Sequence, residues 1–361
     1  RIAENEVDMT TKAKLAITAA VAVVLLAAVL IVFCPRSGGA KTEFWSPLDE
    51  YSSADVAKVQ KTAGEDFVIL LFTDIQLWSF AWDNSKTYEI MDELVGRVDP
   101  DLIILPGDNV SGLGTDFLTR SLVRKMESYG VPWAPVFGNH DAEGNATLLW
   151  QADRFEEAEH CLFDRGPANM YGVGNYFVNI FEGDEPVYSL CLMDNGRYTD
   201  YGGDIGSSEI WVDFAQIEWY KWNVDGLAAE YGTRVPSMTF SHFAYPEMRD
   251  AVEKYAVEGE DGRLYIPEEY GGGSCAYEPC APDLNSGLFD VAKTSGLTHA
   301  FFGHDHENDA YVYVDGVRLG YGLKTGPSPA FWNDATEYGG TVIAIGEGGV
   351  DVRNEVICEA N

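Results

Sequence analysis

Basic residues are scarce in this sequence of 361 residues. There are 24 lysines and arginines against 58 aspartates and glutamates, which gives a formal net charge of -34. Such a surface repels the phosphates of nucleic acids and the headgroups of anionic lipids, so we expect no nucleic-acid groove. It attracts divalent cations instead. An anionic ligand would need a local reversal of charge, which bound metal ions can provide.

The cysteine spacing typical of zinc-thiolate sites is also missing. No two of the six cysteines have the CxxC spacing, so a zinc-thiolate site is not indicated. Export from the cell would permit disulfides. Cys275 and Cys280, which flank a short Ala-Tyr-Glu-Pro loop, are the one candidate pair.

One long hydrophobic run lies near the N-terminus. Residues 15–33 are apolar except for Thr18, and at ~1.5 Å per residue they reach about the thickness of a bilayer core. Because Lys12 and Lys14 precede the run, we favour an uncleaved anchor with the rest of the chain outside. The alternative is a signal peptide cut near residues 38–40, which would leave a secreted protein.

These features suggest a three-part organisation. We expect a membrane anchor or signal segment at residues 1–40, a polar tether at residues 41–64, and a single folded domain at residues 65–361. The folded domain is exported in both cases.

Buried strands and helices alternate in the first half of this domain. Continuous apolar runs, typical of strands covered on both faces, occur at residues 67–73, 101–105 and 131–137. Helical stretches at residues 85–97 and 117–128 separate them. The alternation predicts an α/β fold with parallel strands, and the tail after residue 310 predicts antiparallel strands.

Polar side chains that could bind metal follow the predicted strands. They are Asp74, Gln76, Asp108, Asn139, His140, His242, His304 and His306. The C-terminal ends of parallel strands meet at one rim of a sheet, so we expect these side chains to converge. Oxygen and imidazole ligands without thiolates suit Mn, Fe or Zn. The set is too large for one ion, so we predict two divalent ions with Asp108 as the bridging carboxylate.

The order of these motifs resembles that of the calcineurin-like metallophosphoesterases. The chain contains, in this order, Asp74-Ile-Gln76, Gly107-Asp108, Gly138-Asn-His-Asp141, His242 and Gly303-His-Asp-His306. The segments 303–309 and 321–326 look most like the purple-acid-phosphatase-related, single-domain branch. The resemblance implies a four-layer α/β/β/α sandwich of two mixed sheets flanked by helices, here preceded by one N-terminal hydrophobic helix.

Carried over residue by residue, the resemblance implies two metal sites. The ligands of the first would be Asp74, Gln76, Asp108 and His306, and those of the second would be Asp108, Asn139, His242 and His304. A metal-bridging hydroxide would attack phosphorus, and His140 would act as the acid at the leaving oxygen. Asp141 would orient His140. The implied activity is hydrolysis of phosphate monoesters or diesters of a small phosphorylated substrate.

Gln76 departs from the family pattern, in which this position is usually His. Its neutral carbonyl oxygen is a weaker and harder ligand that would favour Mn. Manganese-dependent pyrophosphatases that act on ADP-ribose or CDP-alcohols resemble this chain in carrying Gln here, so a diphosphate substrate is an alternative. A non-catalytic metal- or phosphate-binding surface protein is another. Ser111 replaces the iron-ligating tyrosine of purple acid phosphatases, so we expect no purple iron site.

Substrate contacts have weaker signals. Asn109, beside the bridging carboxylate, and Arg197 are candidates for contacting a phosphate oxygen. Arg165 and Lys324 are further cations for which we favour solvated or salt-bridged roles. The pocket walls would be formed by the loops at residues 141–175, 195–210 and 248–286. No sequence motif in these loops indicates the substrate.

Overall fold

The computed structural model describes residues 14, 17–24, 34–78, 84–196, 212–327, 335 and 337–359. Only residues 17–24 of the predicted membrane segment fall within these ranges, and they are helical. Among the helices so described, none is both long enough and apolar enough to cross a membrane. The anchor at residues 15–33 therefore has no structural support and stays a prediction.

The regular structure contains strands and helices in similar amounts. The strands described are β1 (Ala57–Gln60), β2 (Phe67–Leu71), β3 (Leu77–Trp78), β4 (Leu102–Pro106), β5 (Val110–Ser111), β6 (Trp133–Val136), β7 (Tyr176–Glu182), β8 (Glu185–Leu192), β9 (Ser237–Ser241), β10 (Val257–Glu258), β11 (Leu264–Tyr265), β12 (Gly271–Gly272), β13 (Ser274–Cys275), β14 (Leu297–Phe302), β15 (Tyr311–Val314), β16 (Val317–Tyr321), β17 (Glu337–Gly346) and β18 (Gly349–Glu359). They are joined by α-helices α1 (Asn84–Val98), α2 (Thr115–Glu127), α3 (Leu148–Glu156), α4 (Phe214–Tyr231), α5 (Pro246–Tyr255) and α6 (Leu288–Thr294). A short 3₁₀ turn spans His140–Ala142.

Two mixed sheets form the centre of the molecule. One has five strands in the order β18-β17-β2-β4-β6, and the other has eight in the order β1-β7-β8-β9-β14-β16-β15-β12. Strands β2, β4 and β6 run parallel to one another, as do β8, β9, β14 and β16. The parallel strands expected from the first half are confirmed.

The two sheets share a hydrophobic core, and helices cover their outer faces. Alternate side chains of a strand point to opposite faces. Accordingly, Phe301 of β14 packs in the core between the sheets, whereas Phe302 packs with residues of α4, α5 and α6. Helix α1 contacts β2 and β17 on the outer side of the five-stranded sheet. The four-layer α/β/β/α sandwich is thereby confirmed.

The segment predicted as a tether contributes to the folded domain. Strand β1 pairs in parallel with β7 at the edge of the eight-stranded sheet. Upstream of it, Lys41 Nζ donates hydrogen bonds of 2.8 Å to the carbonyl oxygens of Met170 and Gly172. A composition-based boundary missed these contacts because their partners are more than a hundred residues away in the chain.

The candidate pair Cys275 and Cys280 does not form a disulfide. All six cysteines, each within the described ranges, are thiols. Cys275 is buried in β13, which pairs with β11, whereas the amide of Cys280 donates to Asp305 Oδ2 at 2.9 Å. The two residues are therefore held by different partners.

Candidate metal centre

Predicted metal ligands follow five parallel strands at one end of the sandwich. Strands β2, β4, β6, β9 and β14 are followed within three residues by Asp74, Asp108, Asn139, His242 and His304, respectively. Because these strands are parallel within each sheet, their C-terminal ends meet at the same rim. The structure thus brings together the side chains that the sequence analysis selected.

Unusual backbone conformations aim several of these side chains. Positive φ angles of 51°, 45°, 50° and 69° occur at Asp74, Gln76, Asp108 and His304. Non-glycine residues seldom adopt this left-handed region, and each instance has a conformational cost. All four lie in the turns that follow central strands. Strain is therefore concentrated where the candidate ligands lie.

Two motif glycines allow the close approach of these turns. A Cβ atom on Gly138 would lie 2.2 Å from Asp108 Oδ1, and one on Gly107 would lie 2.4 Å from His242 Nδ1. Both distances are shorter than any tolerated contact. Glycine is thus required at these positions for the carboxylate and the imidazole to meet.

The first group of ligand atoms belongs to Asp108, His242 and His304, whose atoms lie within 4.8 Å of one another. His242 Nε2 is 3.4 Å from Asp108 Oδ1 and 3.3 Å from His304 Nδ1. Asn139 Oδ1 lies 3.1 Å from both of these ring nitrogens. These four residues offer two oxygens and two imidazole nitrogens to one point, a donor set that fits a divalent ion.

The second group contains Asp74, Asp108 and His306, again with ligand atoms within 4.8 Å. His306 Nε2 is 3.4 Å from Asp74 Oδ1. The carboxylate of Asp74 also accepts the amide of His304 at 3.1 and 3.2 Å, which ties the two groups together. Asp108 belongs to both groups, so its two oxygens can serve two ions.

Gln76 enters this centre with its nitrogen rather than its oxygen. Gln76 Nε2 donates to Asp108 Oδ2 at 3.2 Å, while Gln76 Oε1 accepts a hydrogen bond of 3.0 Å from Lys324 Nζ. Lys324 is 2% exposed and also donates to the carbonyl oxygen of Asp74 at 3.0 Å. A buried lysine in this arrangement differs from the solvated or salt-bridged cation that the sequence analysis favoured.

His140 lies at the edge of the centre. Its amide donates to Asp108 Oδ1 at 2.9 Å, and its Nε2 is 3.8 Å from Asp108 Oδ2. Its Nδ1 is 2.7 Å from Glu143 Oε1. Burial opposes protonation of the imidazole, but the carboxylates of Asp108 and Glu143 outweigh it and raise the pKa of His140.

Glu143 contacts the ring of His140, a role that the sequence analysis gave to Asp141. The carboxylate of Asp141 accepts hydrogen bonds from the amides of Gly138 at 2.8 Å and of Val110 at 3.0 Å, and so holds the turn together. Burial and the charge of Asp108 raise the pKa of Asp141 to about 7. The three-residue spacing from His140 to Glu143 was the available sequence signal, since one helical turn brings such residues together.

The residues predicted to contact a substrate either have a protein partner or lie outside the described ranges. Asn109 is fully buried, and its Nδ2 donates to the carbonyl oxygen of Val136 at 2.8 Å. Arg197 lies outside the described residues. Arg165 is paired with Asp153 at 2.9 Å and with Glu156, as expected for a salt-bridged cation.

Asp305, between the two histidines of the last motif, was not selected from the sequence. It accepts hydrogen bonds from the hydroxyl of Tyr321 at 2.5 Å and from the amide of Cys280 at 2.9 Å. Burial raises its pKa to about 7. Its contacts fix the loop from which His304 and His306 project.

Comparison with known proteins agrees with this geometry. The sequence profile of the calcineurin-like phosphoesterase family matches residues 67–308. A protein of Arabidopsis thaliana named "Probable inactive purple acid phosphatase 14" is 27% identical over 264 residues, which are 65% of this chain and 61% of that protein. "Phosphatase DCR2" of Saccharomyces cerevisiae is 27% identical over 236 residues, 62% of this chain and 39% of that protein.

A solved structure has the same fold. A dimetal phosphatase from Danio rerio superimposes with a TM-score of 0.51 and 11% identity over 82% of this chain and 98% of that one. At that identity the likeness concerns the fold alone. The chain spans about three fifths or less of the length of the two relatives compared above, whose names differ on whether they are active.

Proposed function

Because this chain belongs to the calcineurin-like phosphoesterase family, we propose that it hydrolyses phosphate esters of a small substrate with two divalent metal ions. The observation that supports this most directly is the position of Asp108 in two groups of converging ligand atoms. Mn, Fe or Zn would suit these donors. When bound, such ions supply charge neutralisation at a phosphate and activation of a water molecule.

The residues around the centre define where a phosphate would bind. The chain carries a net charge of -34, so its surface as a whole disfavours an anion. The metal centre and His140, whose side chain is partly exposed at its edge, are the features that counter this charge locally. A substrate phosphate therefore belongs beside His140, over the rim of the two sheets.

We assign His140 the role of proton donor to the leaving oxygen. The carboxylates of Asp108 and Glu143 raise its pKa and so favour the protonated imidazole, and Glu143 at 2.7 Å fixes the ring so that Nε2 faces the side of Asp108. A donor of this kind matters most for leaving groups that cannot depart as anions. The reaction of an alkyl phosphate should therefore depend on His140 more than that of a nitrophenyl phosphate.

The test of the activity uses the purified full chain, stripped of metal and then supplied with Mn, Zn or Fe. We expect metal-dependent hydrolysis of p-nitrophenyl phosphate or bis-p-nitrophenyl phosphate. Turnover of ADP-ribose alone would support the pyrophosphatase alternative instead. Absence of turnover with all three substrates, with metal bound, would favour the non-catalytic binding protein and refute the proposed function.

The role of His140 is tested by comparing His140→Asn with the unmodified protein on two monoesters. We expect a loss of roughly 10²–10⁴-fold on an alkyl phosphate and a much smaller loss on p-nitrophenyl phosphate, with unchanged metal content. Equal losses on both esters would show that His140 does not act as the acid. A matched control is His160→Asn. His160 lies outside the metal centre, and its Nδ1 is 3.0 Å from Glu127 Oε2.

We also propose that the domain is exported, on the basis of the hydrophobic run at residues 15–33. Protease treatment of intact cells that express the full chain provides the test. Degradation of the domain without cell lysis, or its appearance in the medium, would support export. Complete protection until lysis would refute it.

A further inference from the structure

The contact between Lys324 and Gln76 has no role in the proposed reaction, yet it lies against the metal centre. Gln76 Oε1 is the oxygen that a metal ligand at this position would have to offer. That oxygen accepts the hydrogen bond from Lys324 Nζ at 3.0 Å, and the other end of the amide faces Asp108 at 3.2 Å.

The two hydrogen-bond partners of the Gln76 amide favour one of its two orientations. If the amide were turned over, its NH₂ group would face the donor Lys324, and its oxygen would face the carboxylate of Asp108. Both contacts would be repulsive, since a lysine ammonium group only donates and a carboxylate only accepts. The orientation is therefore set by chemistry on both sides of the amide.

Lys324 is itself held firmly in place. The side chain is 2% exposed, and Nζ also donates to the carbonyl oxygen of Asp74 at 3.0 Å. On the main chain, Lys324 forms an isolated bridge with Thr73, and its carbonyl oxygen accepts the amide of Gly339 at 3.0 Å. Releasing the Gln76 oxygen would leave a buried amine short of an acceptor, which is unfavourable.

This contact makes the two halves of the centre unequal. One half has Asp108, Asn139, His242 and His304 converging on one point, and the other has Asp74, Asp108 and His306. In the second half the potential fourth ligand presents an amide NH₂ group, which cannot ligate a cation, and a lysine amine lies directly behind it.

We propose that Lys324 withholds the carbonyl oxygen of Gln76 from the metal centre, so that the site of Asp74, Asp108 and His306 binds its ion more weakly than the other site. This inference rests on the proposed two-metal centre and identifies Lys324 as a positioning residue. Gln76 is then a hydrogen-bond partner of the bridging Asp108 rather than the metal ligand that the family pattern implies.

The experiment is a calorimetric titration of the metal-free full chain with Mn²⁺, without substrate, followed by electron paramagnetic resonance at each equivalent. We expect one ion to bind tightly and a second more weakly, with the spectrum of a spin-coupled pair appearing only during the second step. Two sites of equal affinity would overturn the proposal.

The variant Lys324→Met removes the donor while keeping an unbranched side chain. We expect it to strengthen the weaker site by roughly tenfold, because the Gln76 oxygen becomes available. The double variant Lys324→Met with Gln76→Ala should lose this gain. Persistence of the gain in the double variant would show that removal of the lysine charge, not release of Gln76, is responsible, and would overturn the proposal.

Gln76→Ala alone provides a test that does not depend on the folding of the lysine variant. We expect the weaker site to keep its affinity, since Gln76 does not ligate. A loss of roughly 10–100-fold, as for a removed ligand or its close support, would overturn the proposal. Lys61→Met is the matched control for losing a buried lysine, because Lys61 pairs with Glu182 on another part of the fold.

These binding results are independent of turnover. Unequal sites that respond to Lys324→Met support the inference even if none of the phosphate esters is hydrolysed. Conversely, turnover with two equal sites would support the proposed function and refute the inference. Failure of one is therefore distinguishable from failure of the other.

Discussion

The two ends of the β-sandwich differ in the residues that form their turns. At the end with the metal centre, four turn residues with positive φ are not glycine, namely Asp74, Gln76, Asp108 and His304. At the opposite end, the connections from β7 to β8 and from β15 to β16 pass through Gly183 and Gly316, for which such angles carry no Cβ penalty. In the part of the chain described here, the remaining non-glycine cases are Asp99 and Asp315.

This difference shows which requirement dominates at each end. Aspartate tolerates the left-handed region better than most residues, so the opposite end combines favourable turn residues with low strain. Glutamine has no such preference, yet Gln76 occupies this region at the metal centre. Side-chain chemistry therefore outweighs backbone preference at that end, as is common at functional sites. Changes at the metal centre should alter function, and changes at the other end should alter stability.

The sharpest test of this contrast is Asp108→Asn. A neutral amide replaces the carboxylate that both ligand groups share, so we expect loss of at least one ion and a fall in turnover of roughly 10³-fold or more. Metal analysis and steady-state kinetics measure the two effects. Retention of both ions with near-normal turnover would contradict the functional role given to the metal-centre end.

His299 at the opposite end should affect stability in acid and leave turnover unchanged. Burial and the nearby Arg318 lower its pKa to about 4, so the folded state disfavours its protonation. The unfolded chain binds this proton below about pH 6.5. The contribution of neutral His299 to the free energy of unfolding is therefore complete above that pH and is lost as the pH falls towards 4.

The effect of this histidine should be of the order of 2 kcal/mol, allowing for its partial exposure. The variant His299→Gln should flatten the fall of unfolding free energy between pH 6.5 and 4, as measured by denaturant titration at each pH. An unchanged pH dependence in this variant would contradict the assignment.

The variant Glu143→Gln tests whether a residue at the metal-centre end affects the pKa of His140 rather than the stability of the fold. Glu143 helps to raise the pKa of His140, so removing its charge should lower that pKa. The role proposed for His140 requires its protonated form, so the alkaline limb of the pH profile should move to lower pH. At pH values on the alkaline limb, turnover of an alkyl phosphate should fall by roughly tenfold. A shift to higher pH would contradict the role given to Glu143.

Gly183→Ala should have the smallest effect. The added Cβ would meet no atom within 4 Å, but φ at this residue is 63°. We therefore expect a loss of about 1 kcal/mol in unfolding free energy from backbone strain alone. Turnover and metal content should not change, and a change in either would blur the distinction between the two ends.

The sequence predicts a good part of the centre because the relevant signals are local. Strands β2, β4 and β6 were expected as apolar runs, and the ligands that follow them lie within three residues of the strand ends. Parallel pairing of β2, β4 and β6 then places Asp74, Asp108 and Asn139 at one rim, whereas Asp74 meets His306 only because the second sheet packs against the first. The two-sheet architecture came only with the family resemblance, since periodicity does not specify how strands are ordered.

The orientation of Gln76 could not be predicted in this way. It depends on Lys324, 248 residues further along the chain, whose burial follows from the position of its segment against Thr73. The pairing of His140 with Glu143 had a local signal, their three-residue spacing. The sequence analysis chose Asp141 instead, which is the next residue in the chain. Its carboxylate is instead occupied by the backbone amides of the same turn, including that of Gly138 at 2.8 Å.

The bridge between Arg36 and Ala146 has a mechanical consequence. The amide of Arg36 donates to the carbonyl oxygen of Asn145 at 2.6 Å, and the amide of Thr147 donates to the carbonyl oxygen of Arg36 at 3.0 Å. These bonds fasten Arg36 to the loop that leads from His140 into α3. Tension applied at residue 34 would reach this loop before any strand of the two large sheets, so we expect a pulling force to displace the loop beside His140 before it unfolds the domain.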